Sequence, residues 1–105
     1  MKWNVIWSNF AEQQLDEIFE YFVENIGKPT AQKIIFTILV DVEKLEKNPF
    51  IGQDEELLLN RKFKYRYLVS TNYKIIYSMD EEKGYVKIAD IFDTRQNPKK
   101  IKRKK

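Results

Sequence analysis

Four side chains in the second half of the chain are candidates for chemistry on a phosphate group: Arg66, Tyr67, Lys74 and Arg95. Chemistry on a phosphate needs cations that hold the phosphate and its developing charge, together with groups that transfer protons. The three basic side chains are candidates for the cations. The tyrosine is a candidate for proton transfer, although tyrosine more often packs or stacks. We therefore predict a cationic site, and because the chain has no cysteine and no histidine we expect that site to use no metal and no cofactor.

These candidates lie on or beside three predicted strands. Residues 64–70 and 73–77 are rich in aromatic and β-branched residues, and Thr71 and Asn72 between them suit a tight hairpin turn. Residues 85–92 form a third run of the same kind after a polar turn. The sequence therefore predicts three antiparallel strands in this half of the chain.

Whether the three cations meet depends on the pairing of those strands. Side chains alternate across a sheet, so the register decides whether Arg66 and Lys74 share a face, and the sequence does not fix that register. Arg95 lies just beyond the third strand. The structural alternative is that these basic residues pair with Asp90 or Asp93, as opposite charges on neighbouring strands do.

Elements earlier in the chain must position this sheet. Alternating side chains over residues 3–7 predict a short N-terminal strand. Apolar residues then recur at helical spacing from Ser8 to Ile26 and from Pro29 to Lys47, which predicts two helices joined by a short turn. A sheet with one apolar face needs a cover. We therefore predict an α+β fold in which an antiparallel helical hairpin packs on one face of a mainly antiparallel four-stranded sheet.

Composition limits the class of protein. The 105 residues suit a single domain, and 43% of them are hydrophobic, enough for a modest core. The chain has no cysteine and no histidine, which excludes disulfides, thiol nucleophiles and the usual zinc ligands. No apolar run approaches the roughly 20 residues that span a bilayer. We therefore expect a cytoplasmic protein with one domain over residues 1–98.

Charge is distributed unevenly along the chain. Residues 1–60 carry 5 basic and 11 acidic side chains, residues 61–98 carry 8 and 5, and residues 99–105 carry 6 and none. We predict that residues 99–105 form a basic C-terminal tail. Such a tail either keeps the protein soluble or contacts a polyanion such as nucleic acid, and the second role weakens with salt.

The order strand, helix, helix, three strands resembles the RelE/ParE superfamily of toxins from bacterial type II toxin-antitoxin systems. Residues 48–52 (Asn-Pro-Phe-Ile-Gly) are similar to the family's turn after the second helix. Residues 65–68, 73–77 and 91–96 are similar to its strand motifs. The resemblance implies a toxin held inactive by a cognate antitoxin. We expect the antitoxin to use a largely disordered, acidic and amphipathic segment.

The superfamily has two branches with different targets. The RelE branch cuts messenger RNA on the ribosome without a metal, and the ParE branch poisons DNA gyrase and is not a nuclease. The resemblance places Lys74 at the position of a strand arginine and Arg95 at that of the arginine ending the last strand, and both positions suit a phosphate contact. Tyr67 stands where RelE-type toxins have a catalytic lysine, and Ile101 stands where they have a tyrosine.

These departures favour a ParE-like toxin that acts on DNA gyrase. The alternative is a RelE-type endoribonuclease, and the residues leave open whether the protein is an enzyme. A third hypothesis is a non-toxic RNA-binding module that stacks bases on its tyrosines and follows phosphates with its basic end. We rank this hypothesis last, because it does not explain the order of the family-like motifs.

Overall fold

The computed structural model describes residues 2–58 and 63–103. The strands are β1 (Asn4–Trp7), β2 (Gln53–Asp54), β3 (Tyr65–Ser70), β4 (Tyr73–Asp80) and β5 (Tyr85–Asp93). The helices are α1 (Asn9–Asn25) and α2 (Lys28–Lys47), with short 3-10 helices at Pro49–Ile51, Glu56–Leu58 and Pro98–Lys102. The predicted α+β fold, with two helices on a sheet, is confirmed. Within the described residues, no helix is both long and apolar enough to cross a membrane.

Local sequence explains where the helices begin and end. Ser8 caps α1, because its side-chain oxygen accepts a hydrogen bond from the Ala11 N–H at 3.0 Å. A proline in the first turn of α2 fits there without loss of a helical hydrogen bond. Gly27 links the helices with a φ of 141°, a conformation that side chains disfavour. Both helices therefore lie within one residue of their predicted bounds.

The sheet has the strand order β1-β5-β4-β3-β2. Strand β1 is parallel to β5, and the other neighbours are antiparallel. The predicted hairpin is confirmed, with Thr71 at a φ of 53° in its turn. The sheet has five strands, where four were predicted. Strand β2 has only two residues, Gln53 and Asp54, and is too short to show a period in the sequence.

Both faces of the sheet carry buried side chains. The face toward α1 and α2, called here the helix-side face, contributes Ile75, Tyr77 and Ile88 to the main core. The opposite face buries a second, smaller cluster, which consists of Leu58, Ile76, Ala89, Phe92 and Ile101. Leu58 and Ile101 cover that face, and they belong to the 3-10 helices Glu56–Leu58 and Pro98–Lys102. Among the described residues, neither α1 nor α2 contributes to this cluster.

The C-terminal segment differs from the predicted basic tail. Pro98–Lys102 is a 3-10 helix, and Ile101 within it is only 1% exposed in the second cluster. One apolar residue among lysines has no periodicity, so the sequence gives no sign of docking. Through Arg103 the segment belongs to the folded domain. Lys104 and Lys105 lie outside the described residues.

A buried tyrosine fixes the turn after α2. The Tyr77 hydroxyl donates to the Pro49 carbonyl at 2.6 Å and accepts from the Gly52 N–H at 2.9 Å. A Cβ atom on Gly52 would lie 2.1 Å from that hydroxyl oxygen, so only glycine allows this approach. Burial raises the pKa of Tyr77, which keeps the hydroxyl protonated as a donor.

Tyr77→Phe is therefore expected to lower the free energy of unfolding by about 2 kcal/mol, because it leaves a buried carbonyl and a buried N–H without a partner. Urea denaturation followed by circular dichroism measures this change. Tyr85→Phe is the matched control, since Tyr85 is 38% exposed and its loss of a hydroxyl should change little. Equal stability of the two variants would contradict the assigned role of Tyr77.

Candidate functional site

Arg66 lies on the helix-side face and holds the turn after α2. It stands opposite Tyr77 in the β3–β4 register, which places it on the face of the main core. Its Nη1 donates to the Gly52 carbonyl at 3.0 Å and lies 4.0 Å from Asp54. Its guanidinium carbon lies 5.6 Å from the centre of the Phe50 ring. These contacts give Arg66 a structural role at the edge of the sheet.

Lys74 lies on the opposite face, where a buried carboxylate holds it. The Lys74 Nζ lies 2.8 Å from the Glu55 Oε2, and Glu55 is 3% exposed. Glu55 also accepts from the Leu57 N–H at 3.3 Å. The Lys74 ammonium lies 4.2 Å from the centre of the Tyr67 ring, and the Tyr67 hydroxyl donates to the Gln53 Oε1 at 3.1 Å. Lys74 and Tyr67 are therefore neighbours, as a shared site requires.

Arg95 follows β5 and is the most exposed of the candidates, with 58% of its side chain accessible. Its Nε and Nη2 each donate to the Asp93 carboxylate at 3.0 Å. Hydrogen bonds from Arg95 hold the pKa of Asp93 below its usual value. Burial raises the pKa of the neighbouring Tyr73. A cleft of about 460 Å³ opens here between α1 and β5, lined by Gln14, Glu17, Ile18, Tyr21, Tyr73, Ile91, Asp93, Arg95 and Gln96.

The structure does not bring the three cations into one cleft. Lys74 and Tyr77 are three residues apart on the same strand and so point to opposite faces, which separates Lys74 from Arg66. Arg95 lies with Asp93 beside α1. Each cation has an intramolecular anion or carbonyl as its partner. For Arg95 the structural alternative of a pair with Asp90 or Asp93 is observed, and its partner is Asp93.

Asp90 pairs with Arg103, which the sequence places in the predicted basic tail. Asp90 is fully buried, and Arg103 contacts both of its oxygens, with Nη2 to Oδ1 at 2.7 Å and Nε to Oδ2 at 3.1 Å. Arg103 also donates to the Gln14 Oε1 at 3.2 Å, and its guanidinium lies 5.1 and 5.2 Å from the rings of Phe10 and Phe92. An aspartate inside an apolar strand was a signal that a buried partner exists.

Glu55 is a second charged residue whose buried pair is not evident from the sequence. It lies in an acidic cluster of a connecting segment, and such clusters are usually solvated. Its burial depends on the return of that segment to β3, where the Glu55 N–H donates to the Tyr65 carbonyl at 2.9 Å. Within residues 2–58 and 63–103, no group of three or more acidic side chains is arranged to hold a metal ion.

The comparisons with known proteins agree with this fold. The chain matches the model of the ParE toxin of type II toxin-antitoxin system, parDE, over residues 5–98. A chain of the chromosomal ParDE TA system from P. aeruginosa has a TM-score of 0.72 at 19% identity, covering 88% of this chain and 96% of that one. The YoeB dimer from Staphylococcus aureus has a TM-score of 0.54 at 22% identity, covering 88% and 97%. No curated protein matches the sequence.

The family match runs from the first strand to the start of the last 3-10 helix, so it includes both helices and the whole sheet apart from Asn4. The structural likeness to the two solved proteins supports the same arrangement of helices and strands. Family membership implies a cognate antitoxin as a partner. The chain therefore belongs to the ParE toxin family of type II toxin-antitoxin systems and is the toxin component of such a system.

Proposed function

We propose that this toxin inhibits growth by poisoning DNA gyrase in the cytoplasm and does not cleave RNA. The single observation that carries the proposal is the pair between Lys74 and buried Glu55. A nuclease needs a cation free to meet the phosphate as charge develops on it. Here a phosphate would have to displace a carboxylate that lies 2.8 Å from the ammonium and has almost no access to water.

The positions of the other candidates support the same proposal. Proton transfer to a reacting oxygen needs the donor and acceptor within about 3 Å of the substrate atoms. The Tyr67 hydroxyl is bonded to Gln53 at the surface, Arg66 faces the other side of the sheet, and Arg95 lies beside α1. These groups surround no common point where a scissile phosphate would sit. The match to the ParE toxin model is a separate argument for the gyrase branch, because ParE toxins are the branch that acts on gyrase.

The second candidate function is cleavage of messenger RNA on the ribosome in the manner of the RelE branch. One observation favours it: Lys74 and Tyr67 lie together on the opposite face, with the ammonium 4.2 Å from the ring centre. If the ribosome moved the segment that carries Glu55, these two side chains would be available to a backbone phosphate. A non-toxic RNA-binding module ranks below both, because it does not explain why the chain belongs to a toxin family.

The outer surface of α2 offers a docking site for the antitoxin. Phe36, Leu39 and Val40 are 67%, 39% and 39% exposed, and their spacing places them on one side of the helix. An apolar stripe of this kind suits the apolar face of an amphipathic segment. We infer that the antitoxin covers this stripe while its acidic residues meet the basic half of the toxin.

The test uses purified toxin, purified gyrase, ATP and closed circular plasmid DNA. We expect supercoiling to be inhibited and cleaved plasmid to accumulate when the reaction is stopped with detergent and protease. In parallel, ribosomes programmed with a messenger RNA should show no new RNA ends. Addition of the antitoxin should restore gyrase activity, which controls for contaminants in the preparation. New RNA ends together with unaffected gyrase would replace this proposal with the RelE-type function.

A further inference from the structure

The C-terminal segment presents lysines from a fixed backbone. Lys99 and Lys100 are exposed within the 3-10 helix Pro98–Lys102. The Asn97 side chain accepts from the Lys99 N–H at 3.0 Å, and the Asn97 carbonyl accepts from the Lys100 N–H at 2.9 Å. The Lys100 carbonyl accepts from the Arg103 N–H at 3.0 Å. Hydrogen bonds therefore hold the backbone N–H of Lys99 and both the N–H and the carbonyl of Lys100.

Two anchors fasten this segment to the sheet. Ile101 is 1% exposed among Leu58, Ile76, Ala89 and Phe92. Arg103 is joined to both oxygens of fully buried Asp90 and is flanked by two aromatic rings. An exposed run of like charge would repel itself and stay disordered if solubility were its only role. The apolar and ionic anchors indicate a surface that is held in place.

The segment is also distinct from the part of the chain that defines the family. The family match ends at residue 98, and the segment begins there. After Asp93 the sequence contains seven basic residues and no acidic residue. The exposed side chains of the segment therefore include lysines and no acidic residue, while Ile101 and Arg103 anchor it on the inward side.

We propose that residues 98–103 form a nucleic-acid backbone site in which Lys99 and Lys100 contact consecutive phosphates. The anchors Ile101 and Arg103 are positioning residues for those lysines. A preorganised pair of cations binds with a smaller loss of conformational entropy than the same charges on a free tail. The proposal does not depend on gyrase being the target, since its test contains the toxin and nucleic acid but no gyrase.

Fluorescence anisotropy tests the site with full-length toxin and two labelled probes, a short duplex DNA and a single-stranded RNA of the same length. Affinities are measured between about 50 and 200 mM salt, the range in which phosphate contacts change affinity most visibly. The double variant Lys99→Ala/Lys100→Ala should make the slope of log affinity against log salt shallower by about 1.8 for DNA or about 1.4 for RNA. The probe bound more tightly by the native chain identifies the class of nucleic acid.

The matched control is Lys28→Ala/Lys33→Ala, which removes two exposed lysines from α2 and changes the net charge equally. Its salt slope should stay that of the native chain. Ile101→Ala keeps every charge and should weaken binding about fivefold, because the lysines lose their fixed backbone. Thermal unfolding checks that each variant is folded.

Three results would overturn the proposal. One is the absence of binding to either probe at low salt. Another is equal loss in the two lysine double variants, since net charge alone would then explain binding. The third is native affinity in a folded Ile101→Ala variant, which would show that anchoring has no part in the contact.

Discussion

Lys74→Met is expected to lower the free energy of unfolding by about 2 kcal/mol. The substitution leaves Glu55, which is 3% exposed, as a buried carboxylate without its cation. Loss of one partner from a fully buried pair costs about 3 to 5 kcal/mol, and the smaller value here reflects the 25% exposure of the Lys74 side chain. Loss of the contact with the Tyr67 ring adds to the effect. Urea denaturation at neutral pH measures the change.

A matched control separates this burial from the general effect of losing a lysine. Lys44 pairs with Asp41 at 2.9 Å, but 60% of the Lys44 side chain is exposed. Lys44→Met should therefore cost less than about 1 kcal/mol. In the double variant Glu55→Gln/Lys74→Met both charges are absent, and Gln retains an acceptor for the Leu57 N–H. That variant should recover most of the lost stability, and failure to recover it would contradict the charge-based explanation.

Arg103→Met is expected to have the largest effect, a loss of about 3 kcal/mol. Asp90 has no exposed surface, and Arg103 contacts both of its carboxylate oxygens. The substitution also removes the guanidinium from between Phe10 and Phe92. The C-terminal segment should then detach from the sheet. Hydrogen exchange at the amides of Lys100 and Arg103 should become fast, because their hydrogen bonds depend on the docked 3-10 helix.

Arg95→Met serves as the control for this variant. The Asp93–Arg95 pair has the same fork of two hydrogen bonds, but 58% of the Arg95 side chain is exposed. Its loss should cost less than about 1 kcal/mol. Equal destabilisation by the two substitutions would mean that burial of Asp90 contributes nothing, contrary to the structure.

The elements with strong periodicity were predictable from the sequence. The two helices show apolar residues at helical spacing, and Ser8 and Pro29 mark their starts, so their bounds agree with the structure to within one residue. The hairpin around Thr71 was predictable from the alternation on either side of the turn. Strand β2 and the final 3-10 helix have no such pattern, because their places depend on partners far away in the chain.

The arrangement of the candidate site was not predictable for the same reason. The register that puts Arg66 and Lys74 on opposite faces is set by packing of the whole sheet. Glu55 and Arg103 each stand among several like charges in aperiodic segments, and nothing near them in sequence identifies Lys74 and Asp90 as their partners. The family resemblance correctly gave the class of protein. It could not give the intramolecular partners of residues that occupy the family's cationic positions.

The most direct test of the central claim is the growth of cells that produce Glu55→Gln/Lys74→Met without antitoxin. In this variant the candidate catalytic cation is absent, while most of the stability is expected to be retained. Our account predicts growth inhibition equal to that of the native toxin, because Lys74 has a structural role. A double variant that is folded and present at the native level, but no longer inhibits growth, would contradict it and make Lys74 a functional contact.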